Sequence, residues 1–156
     1  VSLKRRIRKA NVWACDLSPA ALEVAQKNAT ELGTAVKFFQ FDFLNRKEWN
    51  KLPSFDIIIS NPPYIPEKDK HLMQPNVLNF EPTTALFVPD EDPLLFYKSI
   101  AEFGKEHLNK DGQIYLEIHE NMGEPVCTLF QLAGYDTELK KDMQQKDRMI
   151  KAVFSL

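Results

Sequence analysis

The chain has 156 residues, of which 44% are hydrophobic, so it has the length of one domain and enough apolar content to bury a core. Its formal net charge of -2 argues against a nucleic-acid-binding module, since such modules usually carry a basic excess. No apolar stretch approaches membrane-spanning length, and no signal peptide is visible. Cys15 and Cys127 have no metal or redox spacing, which is typical of reduced thiols in a cytosolic protein.

A strand–helix–strand pattern occupies the first part of the chain. Residues 11–16 and 35–41 are short apolar runs that predict strands. Between them, Ser18 is a predicted helix N-cap, Pro19 suits the first helical position, and Gly33 is predicted to end the helix.

Both of these strands end on a carboxylate. Asp16 closes the first strand, and Asp42 closes the second and is followed by Phe43. One carboxylate at such a position can accept both hydroxyls of a ribose. The other can accept an adenine amino hydrogen while Phe43 packs against the ring. Either aspartate alone is equally well explained as a capping or turn residue.

The central stretch is residues 55–65, Phe-Asp-Ile-Ile-Ile-Ser-Asn-Pro-Pro-Tyr-Ile. Its isoleucine run predicts a strand buried on both faces, as inside a parallel sheet. Pro62 and Pro63 end this strand because neither donates a ladder hydrogen bond. Asn61 and its neighbours therefore lie at the carboxyl edge of the sheet, where α/β proteins bind ligands.

The Asn-Pro-Pro-Tyr loop suits a planar NH2 group. The Asn61 side-chain oxygen and the Pro62 carbonyl are adjacent acceptors. Each can accept a hydrogen bond from one of the two N–H bonds of the NH2 group. Tyr64 offers a flat face to the substrate. Holding both hydrogens aims the delocalised nitrogen lone pair at an electrophile, and such positioning lowers a barrier by several kcal/mol. The alternative is a turn that only ends the strand.

The second half predicts a long irregular loop, then further helices and strands. Residues 65–89 contain four prolines, and loops of that length are usually lids or binding loops. Helices are predicted over residues 92–108 and 124–133, and strands over residues 113–118, 135–140 and 150–154. The fold class is therefore α/β, a doubly wound, mostly parallel sheet with an antiparallel C-terminal strand pair.

Other polar residues are assigned structural roles. The three histidines, His71, His107 and His119, share no ligand spacing, which argues against a metal site. The cluster Glu117, His119 and Glu120 at a strand end is interpreted as structural. The Asp147-Arg148 pair is interpreted as a solvated turn whose ion pair contributes little to stability.

The chain resembles class I S-adenosylmethionine-dependent methyltransferases of Rossmann-like fold, and in particular the HemK/PrmC family. The resemblance covers almost the whole chain. It is carried by Asp-Leu-Ser-Pro-Ala-Ala-Leu at residues 16–22, Ile-Ser-Asn-Pro-Pro-Tyr-Ile at 59–65, Phe-Glu-Pro-Thr-Thr-Ala-Leu at 80–86, and Asp147-Arg148. The Asn-Pro-Pro-Tyr motif is shared with enzymes that methylate exocyclic amines of bases, whereas the stretch at 80–86 points to the protein-glutamine branch.

The resemblance implies an activity, a cofactor and a partner. The family methylates the glutamine side-chain amide in the Gly-Gly-Gln motif of peptide-chain release factors, during translation termination in the cytoplasm. Its cofactor is S-adenosylmethionine, and no metal or membrane is involved. The implied cofactor contacts are Asp16 and Leu17 at the ribose, Asp42 and Phe43 at the adenine, and Asn61. The implied catalytic residues are Asn61, Pro62, Pro63 and Tyr64, and the implied substrate loop contains Phe80, Glu81 and Pro82.

One departure from the family pattern is expected to matter. The glycine-rich loop of the family and the strand before it are expected upstream of residue 2. The domain is therefore predicted as residues 1–156, truncated at its N-terminus with the first strand missing. Unpaired strand edges then invite self-association. The hypothesis is that this chain is catalytically impaired unless a partner or upstream residues fill the gap.

Three functions remain open at this stage. The first is methylation of a release-factor glutamine amide. The second is methylation of an adenine or other exocyclic amine of DNA or RNA, which requires the base to be flipped out and is disfavoured by the acidic charge balance. The third is a non-enzymatic fragment that only binds a partner.

Overall fold

The computed structural model describes residues 1–73, 76, 78 and 82–154. Helices in this part of the chain are α1 (Ser2–Arg6), α2 (Pro19–Glu31), α3 (Leu95–His107) and α4 (Gly123–Leu132). Strands are β1 (Val12–Asp16), β2 (Val36–Gln40), β3 (Phe55–Ser60), β4 (Ile65–Pro66), β5 (Phe87–Val88), β6 (Leu108–Glu117), β7 (Tyr135–Lys141) and β8 (Asp147–Phe154). Short 3-10 helices cover Arg46–Lys51, Glu67–Leu72 and Thr83–Ala85. The chain divides into two compact units, Val1–Lys51 and Leu52–Leu156.

The first unit is a parallel strand pair joined through a helix. β1 and β2 pair from Val12 opposite Val36 to Asp16 opposite Gln40, and α2 connects them. The predicted start of α2 is confirmed, since Pro19 is its first residue and the Ser18 side chain accepts a hydrogen bond from the Ala21 amide at 3.3 Å.

The helix ends as the sequence predicts. Gly33 follows α2 with a φ of 59°, a left-handed conformation that glycine adopts without the steric penalty of a side chain. The amide of Thr34 then donates to the Ala29 carbonyl at 2.9 Å, which closes the helix end and turns the chain toward β2.

Aromatic rings form a continuous cluster at the carboxyl end of this unit. Phe39 contacts Phe41 at a centroid distance of 5.6 Å, Phe41 contacts Phe43 at 6.5 Å, and Phe43 contacts Trp49 at 5.8 Å. Trp49 is buried and its indole Nε1 donates to the Phe43 carbonyl at 2.9 Å. The backbone that carries Phe43 is therefore held by both packing and a hydrogen bond.

The second unit is a mixed sheet in the order β3-β6-β8-β7. β3 and β6 are parallel, whereas β8 is antiparallel to both β6 and β7. The parallel βαβ arrangement with an antiparallel C-terminal strand pair confirms the α/β topology predicted from the alternating pattern. A separate small sheet pairs β4 with β5 in parallel.

One face of the mixed sheet carries the core. Ile114, Leu116, Ile150 and Ala152 project to this face and are buried, together with α3 and α4 side chains that include Tyr97, Ile100, Phe103, Val126 and Phe130. The Tyr135 hydroxyl donates to the Ala101 carbonyl of α3 at 2.8 Å. Burial of each large apolar side chain here stabilises the fold by about 1.5–3 kcal/mol.

The opposite face is open, and the prediction that β3 is buried on both faces is wrong. Ile57 and Ile59 are 46% and 60% exposed, and the exposed side chains Tyr115 and Met149 lie on the same face. The physical reason is that α3 and α4 both pack on the other face, and β3 is an edge strand with β6 as its neighbour in the sheet.

Within the described residues, no helix has both the length and the apolarity that crossing a membrane requires.

Candidate functional site

Asp16 is the last residue of β1, and its side chain is exposed. Its Oδ1 accepts a hydrogen bond from the Ser18 amide at 2.8 Å, and its backbone carbonyl accepts from the Phe41 amide at 3.0 Å. The neighbouring Leu17 is exposed, and its carbonyl accepts from the Gln40 side chain at 3.1 Å. These bonds fix the main chain at the end of β1, while the Asp16 side chain stays exposed.

Asp42 has an equivalent geometry just past the end of β2. It is exposed, and its Oδ1 accepts from the Leu44 amide at 3.0 Å. Phe43 beside it is half-buried in the aromatic cluster. The structure therefore brings Asp16, Asp42 and Phe43 to one edge of the first unit, as predicted.

Asn61 follows β3 directly and is exposed. Among residues 1–73, 76, 78 and 82–154, none forms a hydrogen bond with its side-chain amide. Pro62 is buried, while Pro63 and Tyr64 are half-buried. The loop thus has a rigid, packed base that carries an exposed amide acceptor and donor.

The chain after Tyr64 is more ordered than predicted. β4 begins immediately with Ile65, whose amide donates to the Leu86 carbonyl at 3.1 Å, and the Lys68 amide donates to the Asp90 carboxylate at 2.9 Å. The prediction of an irregular segment over residues 65–89 is therefore wrong for the described part, because backbone pairing between distant residues orders both of its ends.

The predicted substrate loop is described only in part. Phe80 and Glu81 lie outside the described residues. Pro82 is exposed, and its carbonyl accepts from the Ala85 amide at 2.9 Å at the start of the 3-10 helix Thr83–Ala85.

Tyr64 packs into a polar cluster that sequence reasoning did not assemble. Its ring lies 5.8 Å from the His119 ring. Burial and the Glu117 carboxylate raise the pKa of the Tyr64 phenol, whereas the positive charge of the Arg148 side chain acts in the opposite direction. The Tyr97 hydroxyl closes the cluster by donating to the Glu117 carbonyl at 3.1 Å.

Arg148 is not part of a solvated turn, which corrects the interpretation of Asp147-Arg148. Both residues begin β8, and Asp147 pairs with Lys141 across the β7–β8 hairpin at 2.8 Å. Arg148 Nε donates to Asp142 Oδ2 and Nη1 donates to the Ile118 carbonyl, each at 3.3 Å. The reason for the difference is that the hairpin brings this segment back beside the end of β6.

The cluster at the end of β6 is partly structural, as predicted. Glu120 forms an ion pair with Lys146, and the hydrogen bond from Lys146 lowers the pKa of Glu120. His119 Nδ1 accepts from the Asn121 amide at 3.2 Å. The contact of His119 with Tyr64 was missed, because nothing in the sequence indicates which residues lie beside the loop. Across the described ranges, no group of three or more His, Cys, Asp or Glu side chains is placed to hold a metal ion.

Comparisons with known proteins match the chain to a methyltransferase family. Residues 1–78 match the family model described as methyltransferase small domain. A release factor glutamine methyltransferase from Bacteroides thetaiotaomicron is 42% identical over 153 residues, covering 97% of this chain and 55% of the relative. The chain spans about half the length of the curated relatives it matches.

Solved structures show the same fold at low identity. A methyltransferase from Pyrococcus furiosus aligns with a TM-score of 0.68 at 15% identity, covering 99% of this chain and 68% of that one. The release factor-specific protein-(glutamine-N5) methyltransferase from Alicyclobacillus acidocaldarius aligns with a TM-score of 0.54 at 19% identity, covering 99% of this chain and 88% of that one. The predicted Rossmann-like methyltransferase fold is confirmed by these likenesses.

Proposed function

Since the chain belongs to the methyltransferase small domain family, we propose that it transfers a methyl group from S-adenosylmethionine to the side-chain amide nitrogen of the glutamine in the Gly-Gly-Gln motif of release factors. The observation that carries the proposal is the exposed Asn61 amide on a packed Pro62-Pro63-Tyr64 base. The similarity to a release factor glutamine methyltransferase supports the choice of substrate. With a release factor as substrate, the place of action is the cytoplasm.

Asn61 and Pro62 orient the substrate amide. The Asn61 side-chain oxygen accepts one amide hydrogen and the Pro62 carbonyl accepts the other, so the nitrogen lone pair points away from both acceptors. Tyr64 lies against the flat amide group. Because an amide nitrogen is a poor nucleophile, this orientation is the main contribution of the loop to the rate. The proton leaves to water after transfer, and no dedicated base is assigned.

The residues at the end of the first unit fit the cofactor. Asp16 and Asp42 each use Oδ1 in a local turn, so Oδ2 of each remains to accept hydroxyl or amino hydrogens. Leu17 and the half-buried Phe43 provide apolar surface beside them. Asp16 and Leu17 would hold the ribose, and Asp42 and Phe43 the adenine. When bound, S-adenosylmethionine supplies an electrophilic methyl group on its sulfonium.

The test is methyl transfer from labelled S-adenosylmethionine by the protein expressed from its complete coding sequence. The substrate is a release factor, and the matched control is the same factor with the Gly-Gly-Gln glutamine changed to glutamate, which has no amide nitrogen. Label on the first substrate and not on the second supports the proposal.

Two other outcomes would contradict the proposal. Label appearing in DNA or RNA, with steep salt dependence, would indicate an amino-methyltransferase of bases instead. Binding to a release factor with no label in any substrate would indicate a protein that only binds its partner.

Two further predictions accompany this proposal. The single methyltransferase domain over residues 1–156 remains a prediction, as does self-association through strand edges. The edge position of β3, with Ile57 and Ile59 exposed, supports the second of these. Sedimentation of the chain over a range of concentrations would test it, and a monomer throughout would contradict it.

A further inference from the structure

We infer that His119 is a positioning residue for Tyr64, an inference that rests on the proposed function. Its imidazole holds the tyrosine ring of the Asn-Pro-Pro-Tyr loop in the position from which that ring meets the substrate amide. His119 follows β6 and Tyr64 follows the neighbouring strand β3, and the two ring centroids lie 5.8 Å apart at an interplanar angle of 59°. This separation and tilt lie within the range of favourable contacts between flat rings.

The main chain on both sides of Tyr64 is fixed. β3 pairs in parallel with β6 before the loop, and the Ile65 amide donates to the Leu86 carbonyl at 3.1 Å directly after it. Pro62 and Pro63 restrict the backbone between these points, because their rings fix φ. The position of the Tyr64 ring therefore depends on its own side-chain torsions, and a ring packed against it favours one of the staggered conformations.

A hydrogen bond fixes the orientation of the His119 ring. Its Nδ1 lies 3.2 Å from the Asn121 amide, and Nδ1 is the acceptor because a backbone N–H can only donate. The proton of the neutral imidazole is therefore on Nε2. The turn that carries this bond is closed by the Met122 amide, which donates to the His119 carbonyl at 2.9 Å just before α4 begins. The imidazole is thus held in one tautomer, and its rotation is restricted.

The backbone that leads into this turn is anchored in the second unit. The Ile118 side chain is fully buried, and its amide donates to the Arg148 carbonyl of β8 at 2.9 Å. One residue earlier, the Glu117 carbonyl accepts from the Tyr97 hydroxyl of α3 at 3.1 Å. His119 therefore projects from a backbone that packing and hydrogen bonds hold in place.

The contact between the two rings belongs to the loop and not to the core. Tyr64 and His119 are both half-buried, and Asn61 in the same loop is exposed. Loss of the imidazole ring should therefore leave the protein folded. Its consequence should be greater freedom of the tyrosine ring beside the substrate amide.

The size of the effect follows from the sensitivity of catalysis to geometry. A misplacement of about 1 Å can reduce a rate by about 100-fold. Asparagine at residue 119 still accepts from the Asn121 amide, as asparagine side chains do two residues back in turns, but it has no ring. We therefore expect His119→Asn to lower kcat by about 10- to 100-fold and to change KM by less than about threefold, because Asn61 and Pro62 still bind the amide.

The first experiment measures kcat and KM for methyl transfer to a release factor by the protein expressed from its complete coding sequence. The variants are His119→Asn, Tyr64→Ala and the two combined, with Asn121→Ala as the matched control, since it keeps the amide donor and removes only an exposed side chain. If His119 acts through Tyr64, His119→Asn costs less than about threefold in the Tyr64→Ala background, and Asn121→Ala costs less than about twofold. Fully additive losses would overturn the inference, as would a loss below about threefold in His119→Asn alone.

His119→Phe separates the ring from its nitrogen atoms. Phenylalanine keeps a flat ring for Tyr64 but cannot accept from the Asn121 amide, so kcat should fall by less than about tenfold. A loss as large as that of His119→Asn would overturn the inference, because it would show that the imidazole acts through its nitrogens and not through its ring.

The second experiment separates this inference from the proposed function. NMR of the same protein should show nuclear Overhauser contacts between the ring protons of Tyr64 and His119, with signals assigned from Tyr64→Phe and His119→Asn. Side-chain nitrogen shifts should show the His119 proton on Nε2. Absence of the ring contact, or a neutral ring with its proton on Nδ1, together with normal methylation by the wild type, would overturn the inference alone. The ring contact together with no methylation by the wild type would overturn the proposed function while the contact stands.

Discussion

The candidate residues of the first unit and those of the second unit are held in place in different ways. The Asp16 and Asp42 carboxylates each accept an amide hydrogen from a residue two positions further along the chain. Tyr64, in contrast, contacts His119 just past the end of β6, a strand that pairs with β3 and β8. The carboxylates therefore depend on local turns, whereas the tyrosine depends on the assembled sheet of the second unit.

This difference predicts how the two carboxylates and the tyrosine respond to mutation. A local turn re-forms around any residue of similar size and polarity, so changes at the carboxylates should affect binding and not folding. The surroundings of Tyr64 exist only when β6 and β8 are paired. Substitutions far from the loop should therefore alter the position of Tyr64.

Asn61→Ala is expected to have the largest effect. Removing a group that orients the reacting amide should lower kcat by about 100- to 1,000-fold, as loss of one preorganised hydrogen-bonding group does in other enzymes. The measurement is labelled methyl transfer to a release factor, alongside Asn28→Ala on the exposed surface of α2 as control. Activity within about threefold of wild type in Asn61→Ala would show that the loop is only a turn.

The mixed sheet of the second unit should be sensitive to substitution on one face only. Ile114→Ala should lower the free energy of unfolding by about 2–5 kcal/mol because Ile114 is fully buried. Ile59→Ala, on the open face, should cost less than about 1 kcal/mol. Urea denaturation of both variants of this chain gives the comparison, and equal losses would mean that the open face is covered in solution.

Asp16→Asn tests the carboxylates that are held by local turns. Asparagine still accepts the Ser18 amide hydrogen, so the turn should persist while the charge that favours ribose hydroxyls is lost. The dissociation constant for S-adenosylmethionine should rise about tenfold, the loss expected for one charge-assisted hydrogen bond of about 1.5 kcal/mol. Calorimetric titration measures it, with Asp136→Asn on β7 as control. An unchanged affinity would show that Asp16 does not contribute to binding of the cofactor.

Asp142→Asn should show the smallest effect, as a change in pH dependence. Hydrogen bonds from the Lys146 and Gln144 amides and from Arg148 lower the pKa of Asp142 below its ordinary value. The group therefore adds stability above its unfolded-state pKa, near 4, and this contribution is lost as pH falls through the folded-state value. Thermal unfolding from pH 7 to pH 2 should show a weaker acid dependence in Asp142→Asn than in wild type. Identical slopes would contradict the prediction.

Much of the architecture could be predicted from local patterns. Ser18, Pro19 and Gly33 mark the bounds of α2 because capping and left-handed turns depend on a few adjacent residues. The acidic strand ends and the Asn-Pro-Pro-Tyr loop were likewise recognisable as a short motif. The methyltransferase family followed from these motifs, and the match over residues 1–78 confirms it.

The tertiary structure decided what the pattern of residues left open. An apolar run such as Ile57 to Ile59 has the same periodicity whether helices cover one face of the sheet or both, so the exposure of Ile59 could not be predicted. The contact of His119 with Tyr64 depends on the path of the chain past the end of β6, which pairs with β3 and β8. Contacts between residues distant in sequence arise from strand pairing and helix packing, which local sequence does not encode. Local sequence therefore specifies the strand–helix order and the candidate chemistry at Asn61, whereas the packing around Tyr64 depends on contacts between residues that are distant in the chain.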